Sequence, residues 1–287
     1  MAEVRKVNYN GKLMPADSGI IPVVSRAFSY GDGLFESIRV LNGSPCFLDN
    51  HLNRLKQGLD AIKIKVGQDF SFEDFEKELI ELIAHNGITE GGRVRITFSR
   101  SGEGFYSPVD DEGLDYLIQA EPLDQNLFAL NDRGHVVDIY TDLRKQVNRL
   151  SCFKTISSQI FIMASLFAKE KSIDNALITN DKDVIIEAAN SNIFIVSNGV
   201  LYTPPLEDGC LGGIMRMEVI NAALRHDIKV YETSLRPQNL LVADELFLTN
   251  AIQGIQWVSS YRQKRYYNSL SQKLTRLLNE DILSPSE

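Results

Sequence analysis

Apolar residues recur along this chain with two different periods, and the points where the period changes mark its elements. Residues 4–9 alternate, Asn10-Gly11 follows, and 12–14 continue the alternation, which predicts a β-hairpin. Residues 25–33, with Gly31 and Gly33, predict a glycine-bearing connection. A strand is predicted at 34–41, turned by Asn42-Gly43 into 45–48. From 50 to 64 the period lengthens: Leu52, Leu55, Leu59 and Ile62 form the stripe of an amphipathic helix, and Arg54 lies off that stripe. A second helix starts at Ser71, with Asp74 three residues on as its capping partner. Phe72, Phe75, Leu79 and Leu82 form its stripe, and Asn86-Gly87 ends it. Residues 93–99 alternate as a strand, with Val94, Ile96 and Phe98 on one face and Arg93, Arg95 and Thr97 on the other. The polar face is either solvated or the lining of a cavity. Residues 101–108 read as a loop and 116–120 as a strand.

Periodicity lapses over 122–133, which predicts a linker between an N-terminal αβ domain (1–121) and a C-terminal domain (134–287). The second half alternates strands and helices. Strands are predicted at 136–140, 176–179, 184–187, 192–196, 200–203, 229–231 and 245–249. Helices are predicted at 158–171 (Ile160, Ala164 and Phe167 inward), 215–225, 236–242 and 268–278. A polar, basic stretch fills 144–149. The fold class is α/β (α+β), a small αβ domain followed by a larger strand-rich one.

Composition narrows the function. Of 287 residues, 44% are hydrophobic and 24% charged, an ordinary globular mixture with ample material for a core. A net charge of −8 and a pI near 5.2 disfavour nucleic acid or an anionic membrane as the main partner, because both need a basic face. Cys46, Cys152 and Cys210 stand apart, with no CxxC, and read as reduced thiols of a cytosolic protein. His51, His85, His135 and His226 show no metal-ligand spacing. The N-terminus is charged without an apolar h-region, and no run approaches the roughly 18 apolar residues of a membrane span. A cytoplasmic protein is expected.

Three segments offer chemistry. Residues 208–216, Asp-Gly-Cys-Leu-Gly-Gly-Ile-Met-Arg, join a Pro204-Pro205 pair to a helix. Glycines at a helix start let backbone N–H groups approach an anion at the positive end of the helix dipole, most often a phosphate. The same glycines also serve plain tight turns. Lys154 sits in Leu-Ser-Cys-Phe-Lys-Thr-Ile, among apolar and small hydroxyl residues. Buried there, it tends to lose its proton and become an amine able to form a Schiff base; at the surface it is an ordinary solvated lysine. Glu187 ends an apolar strand, where it either begins a turn or pairs with a buried cation such as a protonated pyridine nitrogen. An anion loop, an amine and a carboxylate are the three groups that pyridoxal phosphate requires.

With these in place the chain resembles the class IV aminotransferases, the fold-type IV pyridoxal-phosphate family, over about residues 9–258. The resemblance runs through Arg26 with Tyr30-Gly31-Asp32-Gly33-Leu34-Phe35-Glu36, then His51-Leu52-Asn53-Arg54-Leu55, then Lys154. It continues through Glu187-Ala188-Ala189-Asn190-Ser191-Asn192-Ile193-Phe194, Leu211-Gly212-Gly213-Ile214-Met215-Arg216 and Ala243-Asp244-Glu245-Leu246-Phe247. It implies that Lys154 forms the Schiff base and moves the Cα proton, and that Glu187 pairs with the pyridine nitrogen. It also implies that Arg54, Gly213 and the N–H groups of Ile214 and Met215 hold the phosphate, with Asn250 a further contact. Phe35, Arg95 and Ala251 fall at the substrate pocket. A homodimer is implied, with the cofactor between the two domains of each subunit.

The motifs divide over subclass. Met215, where transaminases usually have Thr, and Asn250-Ala251, where they tend to carry hydroxyl residues, resemble the 4-amino-4-deoxychorismate lyases, as does the loop 99–107. Glu36 resembles the transaminases, since lyases tend to carry Thr-Thr at 36 and 37, and the loop lacks the lyase arginine where Glu103 to Phe105 stand. The D-amino acid enzymes are less similar: Phe35 replaces their Tyr, and no Arg-x-His follows Ser99. A lyase that expels pyruvate to leave 4-aminobenzoate, a folate precursor, is therefore the first expectation. A branched-chain or other amino acid aminotransferase is the second, and a cofactor-binding homologue without turnover the third.

Overall fold

The computed structural model describes residues 5–19, 21–109 and 113–283. The chain divides into two compact units, one ending at Leu127 but also holding Phe153–Ser157, the other made of Phe128–Cys152 and the chain from Ser158 onward. The division at 127/128 falls within the stretch where periodicity lapses.

In the first unit the chain runs β1 (Lys6–Tyr9), β2 (Lys12–Pro15), α1 (Arg26–Tyr30), β3 (Gly33–Leu41), β4 (Ser44–Pro45), α2 (Leu48–Ala61), α3 (Phe72–His85), β5 (Gly92–Arg100) and β6 (Leu114–Pro122). The strands form one antiparallel sheet in the order β2-β1-β6-β5-β3-β4. Val4, expected to open the first strand, lies outside the described residues. The predicted helical stripes bury Leu52, Leu55, Leu59, Phe75, Leu79 and Leu82 against Ile38, Val40, Val94, Ile96, Phe98 and Ile118. Each such side chain, removed from water, contributes roughly 1.5–3 kcal/mol. Ser71 caps α3 by accepting the Asp74 N–H at 3.3 Å.

Residues 25–33, expected to be a connection, contain α1. Its five residues are too few to show a period, and it ends on Gly31 in the left-handed conformation (φ 64°). Phe153–Ser157 adds to the edge of β3. The Phe35 N–H donates to the Lys154 carbonyl (2.8 Å), the Ile156 N–H donates to that of Gly33 (3.0 Å), and Leu34 pairs with Thr155.

The second unit runs β7 (His135–Ile139), α4 (Gln159–Glu170), β8 (Asn175–Thr179), β9 (Ile185–Ala188), β10 (Ser191–Ser197), β11 (Val200–Thr203), a 3-10 turn (Leu206–Asp208), α5 (Ile214–Arg225), β12 (Val230–Glu232), α6 (Pro237–Val242), β13 (Glu245–Asn250), β14 (Gly254–Tyr261), β15 (Lys264–Arg265) and α7 (Ser269–Leu283). The sheet order is β12-β11-β10-β13-β14-β7-β8-β9, and β9 also pairs with β10. Six strands (β10, β13, β14, β7, β8 and β9) thus close on themselves, which removes their edges. Ile139, Leu177, Ile193, Ile195, Leu246, Leu248 and Val258 share the cluster of Leu235 and Leu240. On the other side of the sheet, Ala164 and Ala168 of α4 share a cluster with Ile178, Ile186 and Cys210. The strands β14 and β15 were not expected. In the closed sheet Gln256 and Ser260 of β14 are buried along with Ile255 and Val258, so no clean alternation marks them.

Candidate active site

Each unit holds one cluster of the residues singled out above. In the first, β3 and its neighbours sort those residues by face. Phe35 stands opposite Thr97, and Ser37 opposite Arg95, so these four share one face. The pairing of Leu34 with Thr155 places Lys154 beside Phe35 on the strand edge. The Lys154 Nζ lies 4.6 Å from the centre of the Phe35 ring, and the Arg95 guanidinium 4.0 Å from it. An amine and a guanidinium thus meet one aromatic ring. Burial and the charge of Arg93 both pull the pKa of Arg95 down from its ordinary value. Arg95 is therefore neither fully solvated nor part of the core.

Glu36 points the other way, under α2, and is buried. Its carboxylate accepts from Arg54 Nε (2.8 Å) and Nη2 (2.5 Å) and contacts His51 Nδ1 (2.8 Å). Burial alone would raise the Glu36 pKa. The Arg54 charge and the hydrogen bonds from His51 and Arg54 outweigh it and bring the value down to about 2. His51 is also buried, and burial pushes its pKa down; the Glu36 contact opposes this, while Arg54 and Lys154 add to it. Its Nε2 has no hydrogen-bond partner among the described residues. The pairing of Glu36 with Arg54 and His51 was not expected. The signal was present as a helical spacing, since His51 and Arg54 are three apart on α2 and share a face.

In the second unit a β-bulge aims Glu187. Ile178 pairs with Glu187, but Thr179 pairs with Ile185, so two residues of β9 oppose one step of β8. Ile186 therefore packs on the same side as Ile178 while Glu187 stays in register with it. Along the sheet, Glu187 stands opposite Asn192 and Asn192 opposite Thr249, a polar row on one face. The loop 211–213 lies on that row. The Leu211 N–H donates to Glu187 Oε2 (3.0 Å), and Asn192 Nδ2 donates to the Leu211 carbonyl (2.8 Å). Gly213 has an ordinary backbone conformation (φ −65°, ψ 135°). What excludes a side chain there is Asn192, whose Oδ1 would lie 1.9 Å from an added Cβ.

The Glu187 carboxylate also carries a cation: Lys145 Nζ lies 2.6 Å from its Oε1. This lysine sits in the stretch 144–149, which the sequence marks only as polar and basic. Cys210 is buried, which raises its thiol to about 12 and leaves it protonated at neutral pH. Asn250 closes β13, where its Oδ1 accepts the N–H groups of Ile252 (3.0 Å) and Gln253 (2.8 Å), and Ala251 lies in the turn so formed.

The second cluster suits a phosphorylated pyridine. The N-cap of α5 is Gly213, so no side chain caps this helix, yet Ile214 and Met215 at its start are buried. A buried, uncapped helix start favours an anion. Among the described residues no group of His, Cys, Asp and Glu is arranged to hold a metal ion. Among the described residues no helix is long and apolar enough to cross a membrane.

Comparison with known proteins agrees with this chemistry. The family model for amino-transferase class IV matches residues 33–261. D-alanine aminotransferase of Bacillus licheniformis is 27% identical, with 89% of this chain and 88% of that protein aligned. Aminodeoxychorismate lyase of Bacillus subtilis is also 27% identical, over 86% of this chain and 83% of that one. Among solved structures, the branched-chain aminotransferase of Thermoproteus uzoniensis, crystallised with norvaline, matches with a TM-score of 0.87 and 27% identity, covering 98% of this chain and 96% of that one.

Proposed function

This chain belongs to the class IV amino-transferase family of pyridoxal-phosphate enzymes, and we propose that it transfers the amino group of an amino acid to a 2-oxo acid. The observation that carries this choice is the environment of Glu36. Both Arg54 and His51 depend on its carboxylate. Threonine, the lyase-like residue, has no carboxylate to pair with Arg54 and His51 there.

When bound, pyridoxal phosphate supplies an electron sink for the charge released at a substrate Cα. The protein's residues do the rest. Lys154 is the amine that carries the cofactor and moves the Cα proton. Glu187 holds a proton on the ring nitrogen. In the second unit the N–H groups of Ile214 and Met215 would hold the phosphate, and in the first Arg54 is a further cation of the kind a phosphate takes. Arg95 offers a cation to a substrate carboxylate, beside the apolar ring of Phe35.

A lyase acting on aminodeoxychorismate is the second reading. Met215 supports it: the residue is buried in the first turn of α5 and offers no hydroxyl there. Two incubations separate the readings. The purified protein is expected to be yellow, absorbing near roughly 410–430 nm as lysine-bound pyridoxal phosphate does, with Lys154→Ala colourless. With branched-chain amino acids and 2-oxoglutarate it is expected to form glutamate; with aminodeoxychorismate it is expected to form no 4-aminobenzoate. The reverse pattern would replace the aminotransferase by the lyase, and a colourless wild type that cannot be reconstituted would end both.

A further inference from the structure

Lys145 reaches the Glu187 cluster although no motif singled it out, and its placement is specific. Its ammonium lies 2.6 Å from Glu187 Oε1 and donates to the Ser151 carbonyl at 2.9 Å. It also sits 5.3 Å from the centre of the Phe161 ring. Its side chain is 13% exposed and that of Glu187 3%. The backbone fixes this direction: the Lys145 N–H donates to the Thr179 carbonyl, and the preceding Arg144 pairs with Asp183 at the surface. Neighbouring residues of an extended segment point opposite ways, so one cation goes out and the next goes in.

Glu187 now has a donor on each oxygen, Lys145 on Oε1 and the Leu211 N–H on Oε2. A carboxylate has about four lone-pair sites, so two donors leave capacity for a third. From this geometry we infer that Lys145 is the positioning residue of the cofactor carboxylate. It pairs with one oxygen of Glu187 and so orients the carboxylate that would meet the ring nitrogen. The inference rests on the cofactor reading above.

The test uses apoprotein and two ligands: pyridoxal phosphate and its 1-deaza analogue, in which carbon replaces the ring nitrogen. Dissociation constants are read from the absorbance change on binding. Wild type is expected to prefer pyridoxal phosphate. In Lys145→Met this preference is expected to fall about tenfold, the scale of one hydrogen bond to a charged group. Lys145→Arg, which keeps the charge, is expected to stay within about threefold of wild type. Should Lys145→Met not fold, Lys145→Gln, which keeps a donor but drops the charge, is expected to show the same loss.

A merely structural lysine would weaken both ligands equally. An unchanged preference in a folded Lys145→Met or Lys145→Gln therefore overturns the role of Lys145 and leaves the cofactor assignment intact. A wild type that takes up neither ligand overturns the cofactor assignment, and the inference with it.

Discussion

Replacing Glu36 by Gln removes one negative charge from under α2 and changes little in shape. The consequence can be worked from the structure. Glu36 has its pKa brought from 4.5 to about 2 by Arg54 and His51, against the opposing effect of burial. A pKa unit is worth about 1.4 kcal/mol, so the ionised carboxylate stabilises the fold by about 3 kcal/mol. Breaking a buried pair from one side costs a similar amount, roughly 3–5 kcal/mol. In a protein of this size that lowers Tm by roughly 6–12 °C. The sign of the pH dependence follows. The folded pKa is depressed, so the stabilisation is complete above pH 4.5 and is lost as pH falls toward 2. Melting wild type and Glu36→Gln apoprotein side by side between pH 7 and pH 3 is expected to show a constant gap down to about pH 4.5, narrowing below it. A gap at pH 7 corresponding to less than about 1 kcal/mol, or one that does not narrow in acid, would refute the reasoning.

Two further outcomes are expected. Gly213→Ala sets a Cβ 1.9 Å from Asn192 Oδ1, so Asn192 must swing away and lose its hydrogen bond to Leu211. A loss of roughly 1–3 kcal/mol is expected in thermal melts, largely relieved in the Gly213→Ala, Asn192→Ala double variant; no relief would place the strain elsewhere. Arg95→Gln removes the cation beside Phe35. It is expected to raise KM for the amino donor roughly ten- to hundredfold with a smaller change in kcat, and an unchanged KM would remove Arg95 from substrate binding.

Periodicity carried much of the fold. The stripes of α2 and α3 and the alternation of β5 reappear as one buried cluster because half-buried elements must repeat with their own period. It failed where burial is two-sided or an element is short. β14 buries Gln256 and Ser260 beside Ile255, and α1 has only five residues. The candidate residues were legible as residue types in unusual company, which is why Lys154, Glu187 and the glycines at 212 and 213 stood out. Their partners were not. Lys145 precedes Glu187 by 42 positions and is brought to it because its segment pairs beside the end of β8, the neighbour of β9, a relation that no local spacing encodes. The bulge that aims Glu187 is equally silent, because 184–187 reads as a plain apolar strand ending in a charge.

Those partners have a common physical cause. An unpaired charge taken out of water is costly, and a protein proposed to bind a cofactor through buried charges must satisfy them from within. Here each unit does so by itself. Arg54 rests on Glu36, which also contacts His51, in the first, and Glu187 on Lys145 and the Leu211 N–H in the second. The loop at Gly213 is held by Asn192. Groups already oriented by internal partners lose little freedom when a ligand arrives, so more of the interaction energy remains for binding. The same pairing makes the partners costly to change. A substitution at Lys145 or Glu36 leaves a buried opposite charge, whereas one at solvent-exposed Arg144 or Asp183 breaks only a surface pair worth little. Side chains whose pairing no local spacing marks thus set how well the proposed ligand-binding ones are held.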